Sequence, residues 1–259
     1  MKVKDIVAAI ERFAPASLQA EYDNTGLQIG SPGQEVHGVM IGFDCTADLV
    51  QEALEKGCDM IVTHHPLIYR PIRNVDPADP VGAAVMAAIR GGVAVYASHT
   101  SADKAPGGVS WAMARSLGLE NVGVLAPEGD GVGFGTVGDI PEPLSAKAAV
   151  ELVKKTFGTP AVRCSRLIEG KVGRIAMCGG SGTSLIPAAI AAGAQMFVCG
   201  DVSYHYFSVP EGFMVVDTGH FETEVAITGI LNSVIRKNFP TFVSIVSERI
   251  GTANPVNYL

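Results

Sequence analysis

The sequence holds no apolar run near the roughly 20 residues that a membrane-spanning helix requires. It has no Lys/Arg block, and 19 basic residues against 26 acidic ones leave a net charge of −7. With a pI near 5.3, such a chain is a poor candidate for gripping a nucleic-acid backbone. There is no CxxC, and the five cysteines (Cys45, Cys58, Cys164, Cys178, Cys199) are odd in number and far apart. That pattern excludes a zinc knuckle and a disulfide frame, and it fits buried thiols in a reducing cytoplasm. Any metal must then be held by His and carboxylate. The opening MKVKDIVAAIERFAP scatters charges through an amphipathic helical pattern and lacks the apolar block of a signal peptide.

What is present is a chain of 259 residues, 47% hydrophobic and 17% charged, able to bury a sizeable core. Helix and strand patterns alternate, which argues for an α/β class. EYDNTGLQIGSP reads as a Gly-rich turn region, VHGVMIGFD as a strand, and TADLVQEALEKG as a helix capped by Thr46 and closed by Gly57. CDMIVTHH and VAVYASHT read as buried strands around a helix at VGAAVMAAIRGG. SADKAPGG then reads as a loop before a helix at VSWAMARSLG.

The second half repeats this order. GRIAMCGG, AQMFVCGD and FMVVDTGH read as strands, SLIPAAIAAG as a helix, and FETEVAITGILNSVIRKN as a helical pattern. A shift of 136 places Leu49 on Leu185, Gly57 on Gly193 and Met60 on Met196. A shift of 121 places His99 on His220 and Asp103 on Glu224. These matches point to an internal duplication, with lobes expected over 1–125 and 126–259. FGTVGDIPEPLSAKAAVELVKKTFG is expected near the opening of the second lobe, its Pro-Glu-Pro a turn before a helix begun at Ser145.

Four of the six histidines (His64, His65, His99 and His220) fall at the C-terminal ends of expected strands, the edge where open α/β sheets bind ligands. Pro66 breaks the pleat after His64 and His65, so adjacent rings can reach one locus. His220 and Glu224 lie four apart, a spacing that puts two ligands on one helical face. Asp103 is the counterpart of Glu224 in the first copy. Two carboxylates and three imidazoles exceed one tetrahedral site and suit two divalent ions, which would be Zn, Fe, Mn, Co or Ni. His99 and His205 are candidates for proton transfer or for supporting the ligands. GGSGTS before a helix reads either as a phosphate cradle or as a plain tight turn.

Taken together, EYDNTGLQIG, the block ending in HHPLIY, SHTSADKAPGGV, CGGSG, GDVSYH and DTGHFETE resemble the GTP cyclohydrolase 1 type 2 homologue family, also called Nif-three-like proteins. Tyr22, Ser101 and Cys199 depart from its usual Trp, Asn and Thr. The resemblance implies two similar α/β/α lobes with mixed sheets and a metal site in the cleft between them. It implies His64, His65, Asp103, His220 and Glu224 as ligands of a dinuclear centre, and a homohexamer. It also implies hydrolytic opening of a nucleotide or related heterocycle, a small-molecule substrate. Two rivals share these ligands: a metal-binding adaptor or delivery protein without turnover, and a metallophosphoesterase acting on small phosphorylated compounds.

Overall fold

The computed structural model describes residues 1–129 and 131–259. In chain order the first elements are α1 (Val3–Phe13), β1 (Gly26–Ile29), β2 (Gly38–Ile41), α2 (Ala47–Glu55), β3 (Met60–Thr63), α3 (Pro80–Gly91) and β4 (Ala94–Ala97). There follow α4 (Thr100–Lys104), α5 (Val109–Ser116), β5 (Glu120–Gly129), β6 (Val132–Ser145), α6 (Ala146–Phe157) and β7 (Arg163–Cys164). The chain continues through β8 (Lys171–Ser181), α7 (Ile186–Ala191), β9 (Met196–Gly200), β10 (Met214–Asp217), α8 (His220–Glu224), α9 (Ile227–Asn238) and β11 (Val243–Val246). Among the described residues no helix is long and apolar enough to cross a membrane.

Two compact units result. One holds Met1–Ala102 with Ile227–Val256, the other Asp103–Ala226 with Asn257–Leu259. This differs from the expected division at residue 125, for reasons of pairing. The terminal strand β11 joins the first unit because it pairs in parallel with β2, from Val243 beside Gly38 to Val246 beside Ile41. Helix α9, just before it, packs on α1. Conversely, β5 is hydrogen-bonded to β6 and α5 packs on β6 and β8, so both fall in the second unit.

The first unit is built on a five-stranded mixed sheet of order β1-β4-β3-β2-β11. Its four neighbours β4, β3, β2 and β11 run parallel, and β1 is antiparallel. GVMI, MIVT and AVYA are buried at every position, the near-continuous apolar run that a sheet covered on both faces demands. Thr46 caps α2 by accepting from Leu49 N at 3.1 Å. Asp79 caps α3 by accepting from Val81 N and Gly82 N, both at 3.0 Å, and Pro80 begins that helix where its missing N–H costs nothing. Leu49, Val50, Ala53, Val85 and Ala88 then pack with Met40, Ile61 and Val95, each large side chain contributing about 1.5–3 kcal/mol by leaving water.

The second unit has a six-stranded mixed sheet of order β5-β6-β8-β9-β10-β7. Its parallel centre is β8, β9 and β10, and Ala176, Phe197, Val215, Ala189 and Ile186 form its core with α7. The duplication is visible here as strand–helix–strand followed by a third parallel strand and a five-residue helix, α4 in one copy and α8 in the other. Met60 pairs with Ala94 and Met196 with Met214. The ladders therefore superpose at a shift one residue shorter than the His-x-x-x-acid match. The extra residue falls at the turn of Thr218 and Gly219, where Gly219 has φ +94°.

Several expectations are corrected. EYDNTGLQIG contains strand β1, and Asp103 lies in helix α4 rather than in a loop. Pro141 and Pro143 sit inside the long strand β6, at an irregularity in its pairing with β8 between Asp139 and Leu144, where a missing donor is tolerated. Ser145 does cap α6, accepting from Ala148 N. The C-terminal helical pattern divides into α8 and α9. All five cysteines are free, but Cys164 is exposed because β7 is a two-residue edge strand.

Candidate metal centre

In the first unit, β3 and β4 are parallel neighbours, so both deliver residues to the same sheet edge. His64 and His65 follow β3, and both backbone N–H groups donate to Phe43 O at 3.2 Å. Thr63 Oγ1 donates to His65 O at 2.8 Å, holding the turn ahead of Pro66. His99 follows β4. The ring centroids of the three histidines stand 5.0, 5.4 and 5.3 Å apart, and each ring offers a nitrogen within 4.8 Å of the others.

Each of these rings has its Nδ1 on an oxygen acceptor. His64 Nδ1 lies 3.0 Å from Ser98 O, His65 Nδ1 2.7 Å from Asp44 Oδ1, and His99 Nδ1 2.7 Å from Asp23 Oδ1. A carbonyl or carboxylate can only accept, so Nδ1 carries the proton and Nε2 of a neutral ring keeps its lone pair. Acceptors behind imidazoles in this way fix the tautomer of metal-binding histidines and raise their basicity. Asp23 is itself shut off from solvent. Burial alone would raise its pKa, but hydrogen bonds from His99 and Thr100 outweigh that and hold the carboxyl well below the usual range.

The second unit presents its own acidic cluster. His220 opens α8 and Glu224 closes it, with His220 Nε2 2.9 Å from Glu224 Oε2. His220 Nδ1 is 2.7 Å from Asp201 Oδ2, and Asp201 holds a left-handed backbone, φ +54°. A neutral imidazole has one N–H, so two carboxylates on its two nitrogens call for a second proton or for a cation shared with Glu224. Carboxylate oxygens of Asp103 and the buried Glu224 also approach within 4.8 Å, a like-charge pair that a cation would relieve. Glycines permit this packing. A Cβ on Gly180 (φ +57°) would stand 2.2 Å from Glu224 Oε1, and one on Gly200 2.7 Å from His220 N.

Of the expected residues, the structure gathers His64, His65 and His99 in one unit and Asp103, His220 and Glu224 in the other. His99, expected as a supporting group, sits as the third imidazole. His205 lies exposed in the turn Tyr204–Phe207 against the Tyr204 ring, apart from these groupings. GGSGTS is no open phosphate cradle: Gly179 and Gly180 belong to β8 and pack against Glu224. Burial, with Asp44 adding to it, pushes the Cys45 thiol up to about 12. Burial, with Asp103 and Glu224 adding to it, holds Cys178 well above its ordinary value. Neither thiol is primed as a nucleophile. Asp23 and Asp44 were missed as partners of His99 and His65. Their signal was position, since Asp44 follows β2 at the same sheet edge and Asp23 sits in the polar DNTG turn.

Both mixed α/β units present, just beyond their strands, groups of imidazoles and carboxylates that could hold a metal ion. The chain belongs to the Duf34/NIF3 (NGG1p interacting factor 3) family, whose model matches residues 1–253. A Clostridium acetobutylicum protein named GTP cyclohydrolase 1 type 2 homolog is 32% identical over 256 residues, covering 94% of this chain and 96% of that one. A Lactococcus lactis protein of the same name is 35% identical over 226 residues, covering 85% and 86%. In fold, the chain is similar to the crystal structure of the Staphylococcus aureus hypothetical protein SA1388, with TM-score 0.93 at 24% identity and coverage of 100% and 99%.

Proposed function

We propose that the chain is a metal-dependent hydrolase of a nucleotide or related heterocycle, with His64 and His65 of the first unit and Asp103, His220 and Glu224 of the second as its ligands for two divalent ions. The observation that carries this reading is the hydrogen-bonded Nδ1 of every one of these histidines, which leaves each Nε2 suited to a cation. These residues would hold the ions, and the chemistry so supplied would be a bound water of lowered pKa, a source of hydroxide at neutral pH. Asp44 and Asp201 orient His65 and His220, and Asp23 orients His99. His99 is the group assigned to proton transfer, and His205, apart from the groupings, is given no part in it. The relatives' name, GTP cyclohydrolase 1 type 2 homolog, makes GTP ring opening the first reaction to test. A cytoplasmic homohexamer is the assembly and location that accompany this reading.

The test is a screen of metal-reconstituted protein against GTP, other nucleotides and phosphoesters, followed by mass spectrometry for formate and pterin products. Turnover lost in His64→Ala and Glu224→Ala is the expected result. Inert GTP with every metal, while a phosphoester turns over, would replace ring opening by phosphoester hydrolysis. Only trace metal in wild type and Asp103→Asn alike would remove the metal reading altogether. The family description as an interacting factor favours one second reading, a metal-binding adaptor. It is distinguished by exchangeable metal without turnover of any substrate in the screen.

A further inference from the structure

Beside the imidazole cluster, the first unit contains a cavity of about 480 Å3 that the ligand groups do not occupy, within the range of small-molecule sites. One wall is the turn from β2 into α2, with Phe43, Asp44 and Leu49; the other is the C-terminal stretch with Arg249, Ile250 and Ala253. That second wall is latched in place. The buried Glu52 carboxylate accepts from Ser247 Oγ at 2.6 Å and from Glu248 N at 2.8 Å. A neighbouring cavity of about 360 Å3 lies along the same turn, shares Asp44 and Asp48, and is lined by His65. Asp44, common to both, is the carboxylate that orients His65.

The polar groups of the larger cavity choose its ligand. Asp48 supplies a carboxylate acceptor and Arg249 a guanidinium donor, 3.7 Å apart at their nearest atoms. Their side chains are 84% and 50% exposed, so their mutual ion pair contributes little and is readily exchanged for a ligand. Between apolar faces, adjacent acceptor and donor groups match a ring edge that carries N–H donors beside a carbonyl oxygen. We propose that this cavity binds the substrate's ring, an amino-oxo heterocycle of the purine or pterin class, with Asp48 accepting from its N–H edge and Arg249 donating to its carbonyl. This assignment rests on reading the nearby histidines as a site acting on such heterocycles. It places the ring against Asp44 and so beside His65.

The test is calorimetric titration of the full chain, as purified, with guanosine, biopterin and adenosine. Guanosine and biopterin are expected to bind saturably and adenosine more weakly, since it lacks the lactam edge. Asp48→Asn should weaken guanosine by about tenfold or more, the worth of a hydrogen bond to a charged group. Ala253→Phe, which fills the cavity, should abolish binding, and Lys147→Ala, at an exposed position on α6 outside it, should leave binding intact. No saturable binding up to about 10 mM, or guanosine binding indifferent to Asp48→Asn and Ala253→Phe, overturns the proposal. Because the readout needs no turnover, loss of the metal reading with guanosine binding retained leaves this inference standing. Metal loading and turnover of another substrate without guanosine binding removes this inference alone.

Discussion

Replacing Asp23 by asparagine tests whether buried carboxylates organise the imidazole cluster. The wild-type carboxylate accepts from His99 Nδ1 at 2.7 Å, Asn24 N at 2.7 Å, Thr25 Oγ1 at 2.9 Å, Thr100 N at 3.1 Å and Thr100 Oγ1. Every partner donates, so the NH2 of asparagine must face a donor. The lost charge-assisted bonds and the mismatched donor together cost about 2–4 kcal/mol. For a unit of this size that is a fall in Tm on the order of 7–14 °C. The pH dependence has a definite sign. The folded carboxyl lies below its ordinary value of 3.8, because the hydrogen bonds from His99 and Thr100 outweigh the upward push of burial. Its contribution is therefore complete above that ordinary value and is lost as pH falls toward the folded pKa. Circular dichroism melts of wild type and Asp23→Asn at pH 7 and about pH 3 should show a wide gap that narrows in acid. A gap near zero at pH 7, or one that widens in acid, refutes the reasoning.

Other consequences are open to simple assays. Gly180→Ala forces a Cβ onto the Glu224 carboxylate from a left-handed backbone position, so it should cost about 2–4 kcal/mol and reduce metal content measured by plasma mass spectrometry. Of the five thiols, Cys164 alone is exposed; a chromogenic disulfide reagent should titrate one thiol quickly in the native protein and the rest only on unfolding. Removing metal with a chelator should lower the melting temperature, and adding zinc at about 100 times its Kd should restore about 2.7 kcal/mol. An unchanged melt would count against ligation by the folded state.

The parts of the site legible in the sequence were those carried by local spacing. His64 and His65 before Pro66 announced a strand end, and His-x-x-x-Asp over His-x-x-x-Glu announced a duplicated His–acid pair, though not that Asp103 would lie in a helix. The buried strands GVMI, MIVT and AVYA declared themselves because a parallel strand covered on both faces must be apolar throughout. Less was legible where pairing overrode local chemistry. Gly-rich EYDNTGLQIG becomes β1 because β4 offers an edge to pair with, and Pro141 and Pro143 survive in β6 because its ladder is irregular there.

Hydrophobic periodicity, caps and turn residues thus determined by themselves the α/β class, the repeat and the candidate ligands, since each is a property of neighbours along the chain. Three matters were decided only by tertiary structure: the return of β11 to the first sheet, the placing of His99 as a third imidazole, and the pairing of Asp23, Asp44 and Asp201 with His99, His65 and His220. These contacts join residues 19 to more than 200 positions apart. No local pattern encodes such a pair; it forms only when adjacent strands bring their ends to a common edge.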